Sequence, residues 1–324
     1  MGILGDPRIS IVVPFRNSAS YLEPCCAALR HAMAAHGAAE LIMVDNGSTD
    51  GSRVIAATAA DVLLTVDGGL VGAVRNAGAA TARGDILVFV DSDCVVPPDH
   101  LLRIERAFSD GTTDVVGRPY VLPPDPHWLE RTWVTLHDTA VRSPRYVPAG
   151  NLAIRAATFR SLGGFDETLA AGEDADLCKR LLAQGGRLKR DDDLRVIHLG
   201  NPKSVSAFLK QQIWHAQGKF SLAELPLVAA LAHMAAVALA VVLLLKGVPW
   251  IALAPAALTA VPFTTVVYRM RSARSRVPLL PAMFLYNVYF VARIWGAALS
   301  LSALREGAAN REPDAYRTVG VAAE

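Results

Sequence analysis

Two acidic clusters stand out by residue type and spacing. Asp91-Ser92-Asp93 sets carboxylates at i and i+2, directly after the apolar run Ile86-Leu-Val-Phe-Val90. Carboxylates that close repel unless a cation or a proton lies between them. Mg²⁺ or Mn²⁺, hard ions that bridge one or two carboxylates to a diphosphate, meet that demand. The chain has no GxGxxG and no P-loop, so a diphosphate here would be held by metal rather than by a glycine cradle. The second cluster is Glu173-Asp174-Ala-Asp176. It reads either as a helix N-terminus whose dipole favours acids, or as carboxylates that raise one another's proton affinity, as a general base requires. Asp191-Asp-Asp193 reads as a solvated loop rather than a second metal site. Asp45-Asn-Gly and Ser48-Thr-Asp50 carry turn and helix-cap chemistry whether or not they line a site.

The elements that must position these residues alternate. Strands are expected at Ile9–Pro14, Glu40–Val44, Val62–Val66, Asp85–Val90 and Asp114–Gly117. Helices are expected at Tyr21–Met33, Asp50–Ala60, Ala73–Ala82 and Asp99–Phe108. Apolar runs of this length between helical segments indicate an α/β fold with a mostly parallel sheet covered on both faces. Ligands bind such sheets beyond the carboxyl ends of the strands. That rule selects Pro14-Phe-Arg-Asn17, Asp45 to Asp50 and Asp91 to Asp93.

An ordered set of blocks resembles the family 2 glycosyltransferases of the Rossmann-like GT-A fold. It comprises Pro14–Asn17, Val44–Gly51, Arg75-Asn-Ala-Gly78, Gly84–Asp93, Gly150-Asn151, Leu162-Gly-Gly-Phe-Asp-Glu167 and Glu173–Leu177. The resemblance covers about residues 8–200. It implies a nucleoside site at Pro14, Phe15, Arg16 and Asp45, with Arg75, Asn76 and Ser92 on the nucleotide side of the donor. It implies a divalent cation, Mg²⁺ or Mn²⁺, at Asp91 and Asp93, with Asp93 the more direct ligand, and His198 at a position that touches the diphosphate or metal in some GT-A enzymes. Asp174 would be the general base, Glu173 its organiser, and Gly150, Asn151, Asp176 and Trp214 would lie on the acceptor side. The implied reaction is inverting transfer of a sugar from a UDP-, GDP- or dTDP-sugar.

Composition adds a membrane. Hydrophobic residues make up 52% and charged residues 19%, which is too apolar for an ordinary soluble domain and the opposite of a disordered chain. A formal net charge of +2 argues against a nucleic-acid partner. Residues 1–224 hold 23 basic and 26 acidic side chains, whereas residues 225–304 hold six basic and no acidic ones. Leu225–Leu245 and Val248–Tyr268 have the length and composition of transmembrane helices. The arginines of Arg269–Arg276 place that loop, and with it residues 1–224, in the cytoplasm. Val277–Leu304 carries a polar stripe of Tyr286, Tyr289, Arg293 and Ser300 and is expected to be interfacial or re-entrant, or else a third span. Ser204–Phe220, with Lys203, Lys210 and Lys219 around Phe208, Ile213 and Trp214, reads as an amphipathic helix at the headgroups. No cleavable signal peptide is read at the start. Cys25, Cys26, Cys94 and Cys178 form no CxxC pair and read as reduced thiols packed as small apolar residues.

The expected organisation is a nucleotide-sugar half (1–118), an acceptor half (119–202), an interface helix (203–224), a membrane region (225–304) and a polar tail (305–324). Residues 119–149, broken by Pro119, Pro123, Pro124 and Pro126, suit a flap bearing Trp128, Trp133, Arg142, Arg145 and Tyr146. Lys210-Gln-Gln-Ile-Trp-His215 is similar to the QxxRW block of processive synthases, but Trp214 stands where that block has Arg, so transfer of a single sugar to a lipid-linked acceptor is expected. The alternatives are a polyprenyl-phosphate glycosyltransferase, whose further acid and glutamine are missing after Asp93, and an inactive GT-A scaffolding protein. Oligomers are compatible with either.

Overall fold

The structure, a computed structural model, describes residues 7–137, 145–216, 225–246 and 253–305. The elements run β1 (Ile9–Phe15), α1 (Ala19–His36), β2 (Ala39–Asp45), α2 (Ser52–Ala59), β3 (Val62–Thr65), α3 (Val71–Thr81), β4 (Ile86–Val90), β5 (Cys94–Val95), α4 (His100–Phe108) and β6 (Val115–Gly117). They continue α5 (Trp128–His137), β7 (Asn151–Arg155), α6 (Ala156–Ser161), α7 (Glu173–Ala183), β8 (Leu188–Arg190), β9 (Ile197–His198), α8 (Val205–His215), α9 (Leu225–Leu245), α10 (Leu253–Ala273) and α11 (Leu279–Arg305). Two compact units result. One holds described residues 7–123 and 145–200; the other holds 124–137, 201–216, 225–246 and 253–305.

The first unit is built on a seven-stranded sheet of order β3-β2-β1-β4-β7-β6-β8. β1 pairs in parallel with β2 and β4, β2 with β3, and β6 with β8. β7 alone among these runs antiparallel, between β4 and β6. All seven residues of β1 are buried, as a strand covered on both faces requires. Ile9, Ile11 and Val13 meet α1, α2 and α4 in one apolar cluster. Val12 faces the other way, toward Val74 of α3 and Phe89, Phe165 and Leu177; the alternation is the pleat. The one buried polar residue of β1, Ser10, donates to Glu40 at 2.6 Å. Burial raises the Glu40 carboxyl, but Ser10 and Arg83 outweigh it and hold the group below its usual range.

The second unit is helical. Trp133 and Leu136 of α5 pack with Ala230, Val266, Met283, Tyr286 and Phe290; Leu129, Phe208 and Leu285 form a second cluster. Here several expectations change. The insert near residue 128 is a regular helix within this unit, while Arg142 lies outside the described residues. Phe208 is fully buried rather than turned to headgroups, because Trp133 closes edge-on over it at 4.8 Å; Lys219 and Phe220 lie outside the described residues. Tyr286 and Tyr289 are packed inward against Trp133, so the stripe faces neighbouring helices; the side chain of Ser300 lies outside the description. α11 is one uninterrupted helix of 27 residues, about 40 Å long at 1.5 Å per residue, so no re-entrant break occurs. Arg269 and Arg271 continue α10 instead of opening a loop, since arginine is a good helix former and suits a helix C-terminus. Among the described residues, only Leu279–Leu299 is long and apolar enough to cross a membrane; Ala229–Leu239 is a shorter apolar stretch. The unit presents large apolar side chains outward, among them Leu280 (78% exposed), Tyr268 (63%) and Trp295 (56%).

Gly78 lets α3 lie close against the sheet. A Cβ there would stand 2.5 Å from Val12 Cγ1 and 2.9 Å from Val44 Cγ2. Gly78→Ala should therefore destabilise by about 1–3 kcal/mol through overpacking, read as a lower urea midpoint with an unchanged slope.

Candidate active site

The carboxyl ends of β1, β2 and β4 converge. Asn46 N–H donates to the Phe15 carbonyl at 2.9 Å, joining the first two strand ends. Asn17 takes a left-handed backbone (φ 48°), a conformation asparagine tolerates. Its side-chain oxygen accepts from Thr49 N–H at 2.8 Å, and its N–H donates to Ser48 Oγ at 3.1 Å. Pro14 and Phe15 are buried and Arg16 is half-buried. Buried Asp45 accepts from Ser48 N–H at 2.9 Å and meets Arg53 at 3.4 Å. Asp50 caps the start of α2 through Ser52 N–H. Ser92 donates to Ser18 Oγ at 2.9 Å. Asn46 donates to the Gly69 carbonyl, leaving its own buried Oδ1 without a protein partner.

The two acidic clusters are joined by one cation. Arg75, in the first half of α3, is 4% exposed. Its guanidinium donates to Asp91 at 2.6 Å and to Glu173 at 2.5 Å. The other Asp91 oxygen accepts from the Tyr120 hydroxyl at 2.9 Å. Burial raises the Asp91 carboxyl, yet Arg75 and neighbouring His198 outweigh it and hold it below the usual range. Burial shifts Asp93 upward, with Asp91 adding to it against the pull of His198. Asp174 accepts from Ala149 N–H at 3.2 Å and from its neighbour Ala175 N–H at 2.7 Å. Burial and then Glu173 push it up to about 6, with Arg75 pulling the other way.

Beyond Asp93 the antiparallel bridge between β5 and β9 sets Cys94 opposite His198. His198 Nε2 lies 3.3 Å from Asp93 Oδ2, and its ring stacks on Tyr120 with centroids 4.5 Å apart. Asp93, Cys94 and His198 offer ligand atoms all within 4.8 Å of one another. Glycine at 200 leaves room for the Asp93 carboxylate, which a Cβ would strike. Gly150 gives the same room to Asp91 and Tyr120. This donor set fits a divalent cation, with Asp93 facing it and Asp91 already engaged.

The remaining expected residues serve the frame. The Asn76 amide donates to the Phe165 carbonyl at 2.9 Å and accepts from Phe165 N–H at 2.9 Å. Asn151 donates to the Arg118 and Leu194 carbonyls. Asp176 pairs with Arg180 at 2.8 Å, and Arg180 also holds the Leu162 and Gly164 carbonyls. Trp214 sits on α8 in the second unit. Of the triple acid, Asp192 pairs with Arg118 and Arg190 and Asp193 with Arg103; no metal-type cluster forms there among the described residues. The four cysteines are free and buried. Tyr120 and Gly200 were not singled out by sequence reasoning; a tyrosine among structure-breaking prolines, 29 residues from the acid it touches, leaves no local signature.

Arg75→Met should cost about 3 kcal/mol, the low end for breaking a buried pair, because Asp91 keeps some solvent contact. Adding Glu173→Gln should recover part of the loss in urea unfolding, since one orphaned charge is then gone.

Residues 10–162 match the family model described as Glycosyl transferase family 2. The chain is 30% identical over 205 residues to the pre-mycofactocin glycosyltransferase of Mycobacterium tuberculosis, across 59% of this chain and 42% of that protein. It is 28% identical over 227 residues to glycosyltransferase AglE of Haloferax volcanii, across 67% of this chain and 74% of that protein. The chain thus spans less than half the length of the first of these relatives. Among solved structures it is similar to the mannosyltransferase PcManGT from Pyrobaculum calidifontis in complex with GDP-Man and Mn²⁺, at TM-score 0.57 and 18% identity, over 92% of this chain and 88% of that one. The mostly parallel sheet with its strand-end acids is a GT-A-like fold, and residues 10–162 carry the match to glycosyl transferase family 2.

Proposed function

We propose that the chain transfers one sugar from a nucleotide-sugar to an acceptor hydroxyl, with inversion. The observation that carries this is the buried Arg75 bridge, which ties Asp91, the neighbour of Asp93 on the diphosphate side, to Glu173, the neighbour of Asp174 on the base side. The acceptor oxygen attacks the anomeric carbon, the bond from that carbon to the diphosphate oxygen breaks, and Asp174 takes the acceptor proton. Products are the inverted glycoside and a nucleoside diphosphate. Proton loss comes late in an oxocarbenium-like transition state, so a carboxylate suffices. Asp93 and His198 would hold a divalent cation, Mg²⁺ or Mn²⁺, which supplies charge neutralisation for the leaving diphosphate. Pro14 to Arg16 and Asp45 would take the nucleoside. Glu173, fixed by Arg75, orients the helix start that bears Asp174.

A lipid-linked acceptor and a place at the inner membrane, with the catalytic unit in the cytoplasm, belong to the same reading. The outward apolar side chains of α9 to α11 and the basic run from Arg269 to Arg276 support it.

The test is a screen of radiolabelled UDP-, GDP- and dTDP-sugars on membranes with Mg²⁺ or Mn²⁺, with mass analysis of the lipid product. Asp174→Asn should abolish transfer while donor binding survives; an active variant would refute the base. Donor binding without transfer by the native chain would favour the scaffolding alternative. Because the base must be ionised, activity should rise with pH through about 6, the position of Asp174. The linkage runs the opposite way. The folded state holds this proton more tightly than the unfolded chain, so Asp174 lowers stability as pH rises from about 4 to about 6. Asp174→Asn should therefore unfold at a higher temperature than the native chain at neutral pH.

A further inference from the structure

We propose that a cleft at the end of the sheet opposite the strand-end acids binds a small phosphate ester that also carries hydroxyl groups, a ligand of the sugar-phosphate class. The inference goes beyond the transfer reading and uses none of its residues.

Strand register builds the cleft. Ile9 of β1 pairs with Ile86 of β4, and Ile86 pairs with Arg155 of β7. Arg8, Asp85 and Arg155 therefore stand close together where β1 and β4 begin and β7 ends. The end of α4 and the short helix α6 complete the lining, with Glu105, Arg106, Phe108 and Arg160. The cleft has a volume of about 660 Å³, within the range of small-ligand sites. The five residues of β4, at about 3.3 Å each, set it about 16 Å from Asp91 at the other end of that strand.

Charge selects the ligand. The lining holds four arginines and two carboxylates, a net charge of +2. Glu105 is already met within the chain, by Arg8 at 2.6 Å and by the buried His36 at 3.4 Å. Arg155 donates to two neutral carbonyls, those of Thr113 and Phe108, each at 2.9 Å. Its guanidinium lies over the Phe108 ring, 5.1 Å from the centroid. These contacts fix the group without a carboxylate to neutralise it. Arg106 and Arg160 are exposed, and no acid pairs with either among the described residues. A helix C-terminus favours each of them singly. It does not account for their convergence with Arg155 on one cleft. Guanidinium groups hold phosphate through paired N–H donors. Asp85, exposed and without a side-chain partner among the described residues, repels a bare anion but accepts from hydroxyl groups. A hydroxylated phosphate ester satisfies both demands at once.

The test uses the full chain in neutral detergent with EDTA, which keeps cations from the strand-end acids. Glucose 6-phosphate, inorganic phosphate and glucose are titrated calorimetrically. The native chain should bind one equivalent of glucose 6-phosphate, about tenfold or more tightly than inorganic phosphate, with no measurable heat from glucose. Arg106→Gln combined with Arg160→Gln should weaken that binding about 100-fold, at about tenfold for each charge-assisted contact. This variant should still unfold cooperatively, since neither arginine pairs with an acid. Arg187→Gln combined with Lys189→Gln removes two exposed cations outside the cleft and should bind as the native chain does. Asp85→Ala should lower the preference for glucose 6-phosphate over inorganic phosphate by about tenfold, because the hydroxyl acceptor and the repulsion of phosphate leave together. Absence of binding, binding that survives the double arginine variant, an equal loss in the Arg187 and Lys189 variant, or a preference that Asp85→Ala leaves unchanged would overturn the proposal. Phosphatidylglycerol vesicles supply the lipid arm. Vesicles that retain the native chain and release the double arginine variant, without any binding of glucose 6-phosphate, would assign the arginines to a membrane and likewise overturn it.

Discussion

The two acidic clusters of the first unit are arranged around the removal of one guanidinium from water. Arg75 is buried, and a buried cation is tolerated only when opposite charges and hydrogen bonds replace its hydration. Asp91 and Glu173 do this from two distant parts of the chain. Their positions follow from the need, and so do those of the elements that carry them. α3 must lie close to the sheet, which Gly78 permits. The turn before β7 must leave Asp91 its space, which Gly150 permits. The N-terminus of α7 must deliver Glu173 to the other terminal nitrogen of the same guanidinium. A single charge thereby sets the distance between the two acidic clusters.

That charge also differentiates the acids. Asp91, bonded to Arg75, is held ionised. Asp174, one residue beyond Glu173 and bonded by backbone N–H groups, is pushed up to about 6. Carboxylates of one type, separated by environment into a permanently charged group and a proton acceptor, are a recurring solution in acid–base chemistry. Here the separation follows from burial and from the charges beside each group.

Strands β1 to β4, β6 and the first four helices were legible because their apolar runs and turn residues act locally; the short strands β5, β8 and β9 and the antiparallel β7 were not, since their pairing is made with distant segments. Observed bounds differ from expected ones by a few residues, chiefly where frayed ends and caps decide. The acids were legible for a similar reason, since Asp91 and Asp93 are neighbours in sequence and end a strand. What was not legible depends on long-range contact. The bridge made by Arg75 was not legible, because its two partners lie 16 and 98 residues away. Tyr120 and Gly200 matter only because the chain returns to Asp91 and Asp93. The helical unit misled in a different way: amphipathic patterns in α8 and α11 are satisfied by other helices, and periodicity does not say whether a polar or aromatic stripe meets lipid, water or protein.

The antiparallel strand β7 has a consequence for biosynthesis. It fills the gap between β4 and β6, pairing Val90 with Asn151 and Val116 with Ala153. Until residue 155 has left the ribosome, β4 has a bare edge on the side where its acidic tip must be walled in. An unpaired apolar edge strand is a template for wrong pairing. The nucleotide-side strands therefore cannot mature as an autonomous early intermediate. The nascent chain must keep β4 in waiting while some sixty residues are added, including an entire helix, α5, that belongs to the other unit.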